Sequence, residues 1–143
     1  MPGGYHDVYV LARERSARVA NQFLAAFAPN CLESADEFGF PEFAEVPTVV
    51  FTTSAEAIRY CEAHPGAAHR FYFRNPKGSP AHAMLFFTSD GGLILGLSVV
   101  KGEKQAYSRL VGHAGSDIGY ITFESPPHDT AAEFRQAAEA ANR

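Results

Sequence analysis

Two spacings of hydrophobic residues alternate along this chain, one typical of strands and the other typical of helices. Six β-rich runs predict strands, over residues 6–12, 48–52, 69–74, 83–88, 93–100 and 118–123. Four segments with helical spacing predict helices. Three of them begin after Ser16, Thr53 and Thr130, and the fourth covers residues 103–113. The capping-box spacing of Thr53 with Glu56 and of Thr130 with Glu133 supports two of those starts. Residues 30–47 show neither period, and we expect them to be irregular.

The clearest local pattern is a hairpin between two β-rich runs. Ala83–Thr88 and Leu93–Val100 flank Ser89-Asp90-Gly91-Gly92, in which Asp-Gly favours the positive φ angles of a tight turn. The second run is nearly all apolar, which predicts a central strand covered on both faces. Gly96 within it marks a bulge or a close packing contact.

The order of these elements defines the expected fold. It is β-α-β-α-β-β-β-α-β-α, a mixed order with one clear hairpin. Such an order predicts an α+β fold with a mostly antiparallel (mixed) sheet and helices packed against it. The length of 143 residues suits a single domain over residues 1–143.

Composition excludes several classes of protein. The chain is 46% hydrophobic and 20% charged, as ordinary globular domains are. Its net charge of −4 disfavours direct binding of nucleic acid, which needs a basic face. No apolar run approaches the ~20 residues of a membrane span. The start of the chain lacks the basic and apolar regions of a signal peptide, so we expect a cytoplasmic protein whose cysteines, Cys31 and Cys61, are reduced.

No pattern in the chain predicts a metal centre or a catalytic site. Cys61, His64 and His69 have a Cys-x2-His-x4-His spacing, but a helix end followed by a strand does not bring such ligands to one point. We interpret them as one buried cysteine and two surface histidines. Neither cysteine has a local nucleophile signature, and phosphate-binding glycine loops are missing from the sequence. We therefore expect no catalytic residue, no metal and no cofactor.

One string resembles part of an acetyltransferase motif. Arg109-Leu110-Val111-Gly112-His113-Ala114 fits the Arg/Gln-x-x-Gly-x-Gly/Ala pattern with which GNAT-type enzymes hold coenzyme A. In those enzymes the pattern lies between a strand and the start of a helix. Here it falls at the end of a predicted helix, where Gly112 and Gly115 favour helix termination.

Charge is distributed unevenly along the chain, and this distribution points to a candidate binding site. Val19 to Ile58 contains six acidic residues and no Lys or Arg, whereas Arg59 to Arg109 contains seven basic and three acidic residues. Within the acidic span, phenylalanines are interleaved with carboxylates, as in protein-binding patches whose acids steer a cationic partner. The candidate partner-binding residues are Glu33, Asp36, Glu37, Phe38, Phe40, Glu42, Phe43 and Glu45.

Two plainer interpretations of this acidic segment, residues 33–45, stay open. The carboxylates are also explained as a solvated loop that aids solubility. The phenylalanines are equally explained as core anchors that hold the loop against the domain. The sequence alone does not separate these interpretations from a docking surface.

Several strings together resemble a known family. They are Ser34–Phe38, Val46–Thr48 before a strand, Ala83–Ser98, Ile118–Ile121, and Pro126-Pro127 before an Ala/Glu-rich helix. The chain is similar in these strings to small bacterial immunity proteins of polymorphic and contact-dependent growth inhibition toxin systems. The resemblance implies a non-catalytic protein that binds and neutralises a cognate toxin domain in the cytoplasm, a nuclease being one such toxin. It identifies neither the toxin nor the oligomeric state, and no toxin-contacting residue carries over by motif.

Two other classes of function compete with this one. A small enzyme, of which a GNAT-like acyltransferase is the example, would bind coenzyme A near Arg109–Gly115. A small-molecule-sensing α+β module would have a pocket between its sheet and its helices and no dedicated protein partner.

Overall fold

The computed structural model describes residues 4–142. Residues 1–3, part of the segment from which we predicted that there is no signal peptide, lie outside the described residues. The described residues form four helices: α1 (Ala17–Phe27), α2 (Ser54–Ala63), α3 (Glu103–Ala114) and α4 (Ala131–Ala141). The strands are β1 (His6–Leu11), β2 (Leu32–Glu33), β3 (Phe38–Phe40), β4 (Val49–Phe51), β5 (His69–Arg74), β6 (His82–Phe87), β7 (Leu93–Val99) and β8 (Gly119–Phe123). No helix among these is long and apolar enough to cross a membrane.

Six of the strands form one antiparallel sheet in the order β2-β5-β6-β7-β1-β8, and β3 pairs with β4 in a small second sheet. The predicted α+β fold and its order of main elements are confirmed. The segment expected to be irregular additionally contains β2 and β3. Phe38 and Phe40 lie on one side of β3 and are both buried, the period of two that a half-buried strand requires.

Both faces of the large sheet are covered. Along β1, Val8 and Val10 join the core beneath α1, α2, α3 and β3, whereas Tyr9 and Leu11 join a second cluster beneath α4. β7 lies in the middle of the sheet and every one of its residues is buried, as its apolar sequence predicts. The N-terminal and C-terminal helices therefore lie on opposite faces of the sheet.

The helix starts follow from their capping residues. The hydroxyl oxygens of Thr53 and Thr130 accept hydrogen bonds from the amides of Glu56 and Glu133, at 3.2 and 3.1 Å. Each hydroxyl in turn donates to the same Glu side chain, so the glutamates reach the capping hydroxyl. Half of each predicted capping box therefore forms. The threonine hydroxyl caps the glutamate amide, whereas the glutamate side chain bonds to that hydroxyl instead of to the threonine amide.

The hairpin between β6 and β7 turns as predicted, with one difference. Gly91 alone in this turn has a positive φ, of 87°. Asp90 instead accepts hydrogen bonds from the amides of Ala131 and Ala132 at the start of α4. Although burial would raise the pKa of Asp90, these bonds and one from Thr88 lower it. The hairpin therefore anchors the helix on the far face of the sheet.

Candidate functional site

The acidic segment, residues 33–45, divides into a buried part and an exposed part. Phe38 and Phe40 are only 3% and 4% exposed, since β3 presses them against Phe71, Tyr60 and other core rings. Their predicted role as partner-binding residues is wrong, because neither ring is accessible to a partner. They are the core anchors that the sequence left open as an alternative.

Phe43 behaves in the opposite way. Its side chain is 79% exposed, and its φ of 67° lies in the left-handed region that a bulky residue rarely adopts. Val46, three residues later, is 84% exposed. The guanidinium of Arg70 lies over the Phe43 ring, 5.1 Å from its centre. Residues in sparsely populated backbone conformations cluster at functional sites.

The five predicted carboxylates also differ in their surroundings. Asp36, Glu37 and Glu45 are exposed, consistent with a charged rim. Glu33 is exposed as well, but it accepts a hydrogen bond from the Ser54 hydroxyl at the start of α2. Glu42 is unlike the others, because its side chain is only 16% exposed.

Glu42 is held against the start of β5. Its Oε2 atom accepts a hydrogen bond from the Arg70 amide at 3.0 Å and lies 3.5 Å from His69 Nδ1. Its Oε1 atom lies 3.8 Å from Arg70 Nε. Burial raises the pKa of the Glu42 carboxyl, and the Arg70 amide and charge offset part of that effect. Burial lowers the pKa of His69, which favours a neutral imidazole.

Glu42 and His69 lie in the wall of an open groove of about 880 Å³. The groove runs past the end of the sheet where β5 begins and β6 ends. Four segments that are distant in sequence line it: 40–43 with Thr48, Tyr60 with 63–70, 86–89, and 126–129. Its walls are mainly aromatic, alanine and proline side chains, with Glu42 and Asp129 as carboxylates and Arg70 as a cation. Phe43 lies at its rim.

One half-buried arginine, Arg15, holds the segment between α2 and β5 in place. The Arg15 guanidinium donates hydrogen bonds to five backbone carbonyls, at distances of 2.7 to 3.2 Å, those of Cys61, His64, Ala67, Thr88 and Gly92. It also lies over the Phe87 ring, 5.1 Å from its centre. The end of α2, the following turn and the β6–β7 hairpin, all of which line the groove, are thereby joined.

The possible metal ligands do not converge. Cys61 is buried and His64 is exposed, as predicted, but His69 is 7% exposed, so its assignment to the surface is wrong. The alternation of β5 points His69 inward with Phe71, against the β3 rings. Among the described residues, no group of three or more His, Cys, Asp or Glu is arranged to hold a metal ion. Both cysteines are free thiols, and burial raises the pKa of Cys61 to about 12.

The acetyltransferase-like string lies inside a helix. Arg109–Ala114 forms the last part of α3, which ends at Gly115 with a φ of 71°. Gly115 is the predicted C-cap, whereas Gly112 continues the helix. Because their amides bond to the preceding turn, these residues form no phosphate-binding loop. Arg109 instead lies over the Phe27 ring at 4.7 Å.

Sequence reasoning found Glu42 and Phe43 but not most of the groove. Tyr60 and Arg70 showed no pattern beyond helix or strand, His69 was considered only as a possible metal ligand, and Pro127 was noted only in the resemblance to immunity proteins. They join the site because the sheet order brings their segments together.

No family model matches this chain, and no curated protein or solved structure is significantly similar to it. The resemblance to immunity proteins therefore stays a prediction.

Proposed function

We propose that this protein binds a cationic protein toxin domain and neutralises it without catalysis, as an immunity protein does. The exposed ring of Phe43 carries this proposal. It stands at the rim of the groove, on a strained backbone, beside the exposed side chain of Val46. An aromatic anchor next to a preformed cavity is the arrangement found at the centre of protein interfaces.

The exposed carboxylates of the segment that carries Phe43 support a cationic partner. Asp36, Glu37 and Glu45 are exposed in the same segment, and no Lys or Arg lies between Val19 and Ile58. An acidic rim accelerates encounter with a basic surface and disfavours acidic partners. Toxin domains that act on nucleic acid need a basic surface for their substrate, so they have the complementary charge.

The test replaces the anchor and measures binding to the candidate toxin domain. We expect Phe43→Ala to weaken the complex at least about tenfold, since a central aromatic anchor contributes ~2 kcal/mol or more. Val100→Ala removes another exposed apolar side chain, from the end of β7, and is the matched control. Isothermal titration calorimetry of both variants gives the comparison. Equal affinity of Phe43→Ala and the unaltered protein would exclude this rim from the interface.

A second function is favoured by the groove itself. Its volume of about 880 Å³ and mainly apolar walls also fit the range of small-molecule sites, about 300–1,000 Å³. A sensing module would bind a metabolite there and need no protein partner. A thermal-shift screen of metabolites, run without any partner, separates the two functions.

A further inference from the structure

The two oxygens of the Glu42 carboxylate have unequal partners. Oε2 is engaged by the Arg70 amide at 3.0 Å. Oε1 accepts no hydrogen bond within the described residues, and the nearest cation, Arg70 Nε, lies 3.8 Å away. An ionised carboxylate has room for about four hydrogen bonds. One acceptor of a largely buried carboxylate is therefore left open.

This open acceptor belongs to the groove wall. Glu42 lines the cavity, and its side chain keeps only 16% of its exposure. Because burial removes part of the water around the carboxylate, a donor that enters the groove replaces some of the hydrogen bonding that the carboxylate loses on folding. Rings and a proline face the same space, among them Tyr60, Phe43 and Pro127.

We propose that the groove takes an arginine side chain of the bound toxin domain, with Glu42 Oε1 as the acceptor of its guanidinium. This inference rests on the proposed function and names the group that the site recognises. The guanidinium fits the chemistry of both parts of the groove. Its N–H groups donate to the carboxylate, while its planar face packs on aromatic and proline walls.

Arginine suits this site better than lysine for two reasons. A guanidinium is more weakly hydrated than an ammonium, so it enters a groove with mainly apolar walls at a lower cost. It also stacks on aromatic rings, a contact that this chain already makes between Arg70 and Phe43 at 5.1 Å. Arg70 stacks on the Phe43 ring at the rim, and we expect a partner's guanidinium to stack in the same way on the rings inside the groove.

Arg70 has a defined role in this mechanism. Its side chain is 40% exposed, and its Nε lies too far from Glu42 for a hydrogen bond. It partly neutralises the carboxylate in the free protein and moves aside for the incoming guanidinium. Removal of the Arg70 charge therefore strengthens binding of an external arginine, because one competing cation is lost.

The experiment uses N-acetyl-arginine amide as the probe and N-acetyl-citrulline amide as its neutral isostere. Each is titrated into the full-length protein while the NMR signals of Phe43, Tyr60 and His69 are followed. We expect the arginine amide to shift these signals in a saturable way and the citrulline amide to bind at least about tenfold more weakly. N-acetyl-lysine amide is expected to lie between them.

Variants assign the effect to Glu42. Glu42→Gln keeps an oxygen for the Arg70 amide but removes the charge, and we expect it to abolish saturable arginine binding. Glu45→Gln removes an exposed carboxylate of the same loop and is expected to leave binding unchanged. Arg70→Gln is expected to tighten it severalfold. If Glu42→Gln unfolds, the arginine–citrulline comparison on the unaltered protein decides.

The outcomes separate this inference from the proposed function. Equal binding of arginine and citrulline amides, no saturable shift, or unchanged binding by a folded Glu42→Gln variant would each overturn the arginine site. A toxin complex that Glu42→Gln leaves intact would overturn it while the proposed function stands. If the protein binds the arginine amide but protects cells from no toxin, the result would support the arginine site and refute the proposed toxin-neutralising function.

Discussion

Glu42 and His69 show how burial, rather than residue type, sets the properties of this site. The two side chains meet at 3.5 Å in the groove wall, and burial moves their pKa values in opposite directions, up for Glu42 and down for His69. Both shifts favour the neutral form. The exposed carboxylates nearby, such as Glu45, have no such surroundings.

The lowered pKa of His69 predicts a loss of stability on acidification. Below about pH 6.5 the unfolded chain takes up a proton on His69 that the folded chain takes up only at a lower pH. Stability is therefore full above that value and falls as the pH drops towards the folded pKa. The raised pKa of Glu42 has the opposite effect on stability at lower pH. As the pH falls, Glu42 takes up a proton in the folded chain before it does so in the unfolded chain, so acidification there favours the folded state.

We expect urea unfolding to show a steeper loss of stability between about pH 7 and pH 5.5 for the unaltered protein than for His69→Gln, which cannot titrate. The NMR titration midpoint of His69 is expected below about 6.5. A midpoint above that value would show that the imidazole is stabilised as a cation, contrary to the buried environment described.

Gly96 is a residue whose role the sequence indicated and the structure explains. A Cβ atom there would lie 2.9 Å from ring atoms of Tyr9 and 3.2 Å from the Met84 side chain. The Tyr9 ring is almost fully buried, and its hydroxyl is held by a hydrogen bond to the Ser125 carbonyl at 2.7 Å. Of the two predicted roles, bulge or close contact, the close contact is confirmed.

Gly96→Ala is expected to destabilise the protein by about 1–3 kcal/mol, because the added methyl group overpacks the core beneath α4. Gly112→Ala is the matched control, since a Cβ there meets nothing within 4 Å and the residue lies inside α3. It is expected to raise stability by up to about 1 kcal/mol. Equal thermal unfolding of Gly96→Ala and the unaltered protein would contradict the close contact.

At the scale of elements, strong local periods were predictable and weak ones were not. β5 matches the predicted run at 69–74 residue for residue, and its alternation of buried and exposed side chains explains why. Phe38, Phe40 and Phe43 could not be told apart in sequence, since all three are interleaved with acids. Only the pairing of β3 with β4 decides that two rings point inward. The groove was not predictable either, because sheet order brings its four segments together.

Arg15 joins several elements that no local pattern connects. Its five carbonyl partners lie at the end of α2, in the turn that follows it and in the β6–β7 hairpin, far from Arg15 in sequence. We expect Arg15→Met to lower the free energy of unfolding by at least about 2 kcal/mol, since hydrogen bonds to a charged group are lost together. Arg18→Met, which removes an exposed pair with Glu14 at 2.5 Å, is expected to change it by less than about 1 kcal/mol.

Urea denaturation of both arginine variants measures the difference. A change of similar size in the two would show that Arg15 does not hold α2 to the hairpin.

At the scale of the whole molecule, the polarised charge of the chain and the groove of about 880 Å³ support the proposal that the protein binds a partner. The acidic segment places the exposed ring of Phe43 at the groove rim, and Asp36, Glu37 and Glu45 of the same segment are exposed. The sequence predicted the α+β fold and the acidic segment, whereas the identity of the anchor depended on tertiary packing. The partner itself is proposed from charge complementarity.

The most direct measurement is co-expression with the C-terminal domain of any large toxin whose gene lies immediately upstream, scored for growth and by size-exclusion chromatography. We expect protection from the toxin and a stable 1:1 complex, and we expect Phe43→Ala to weaken both, while Val100→Ala retains them. Absence of any such toxin gene, or a toxin that neither binds the protein nor loses its effect, would contradict the proposal that this is a toxin-neutralising protein.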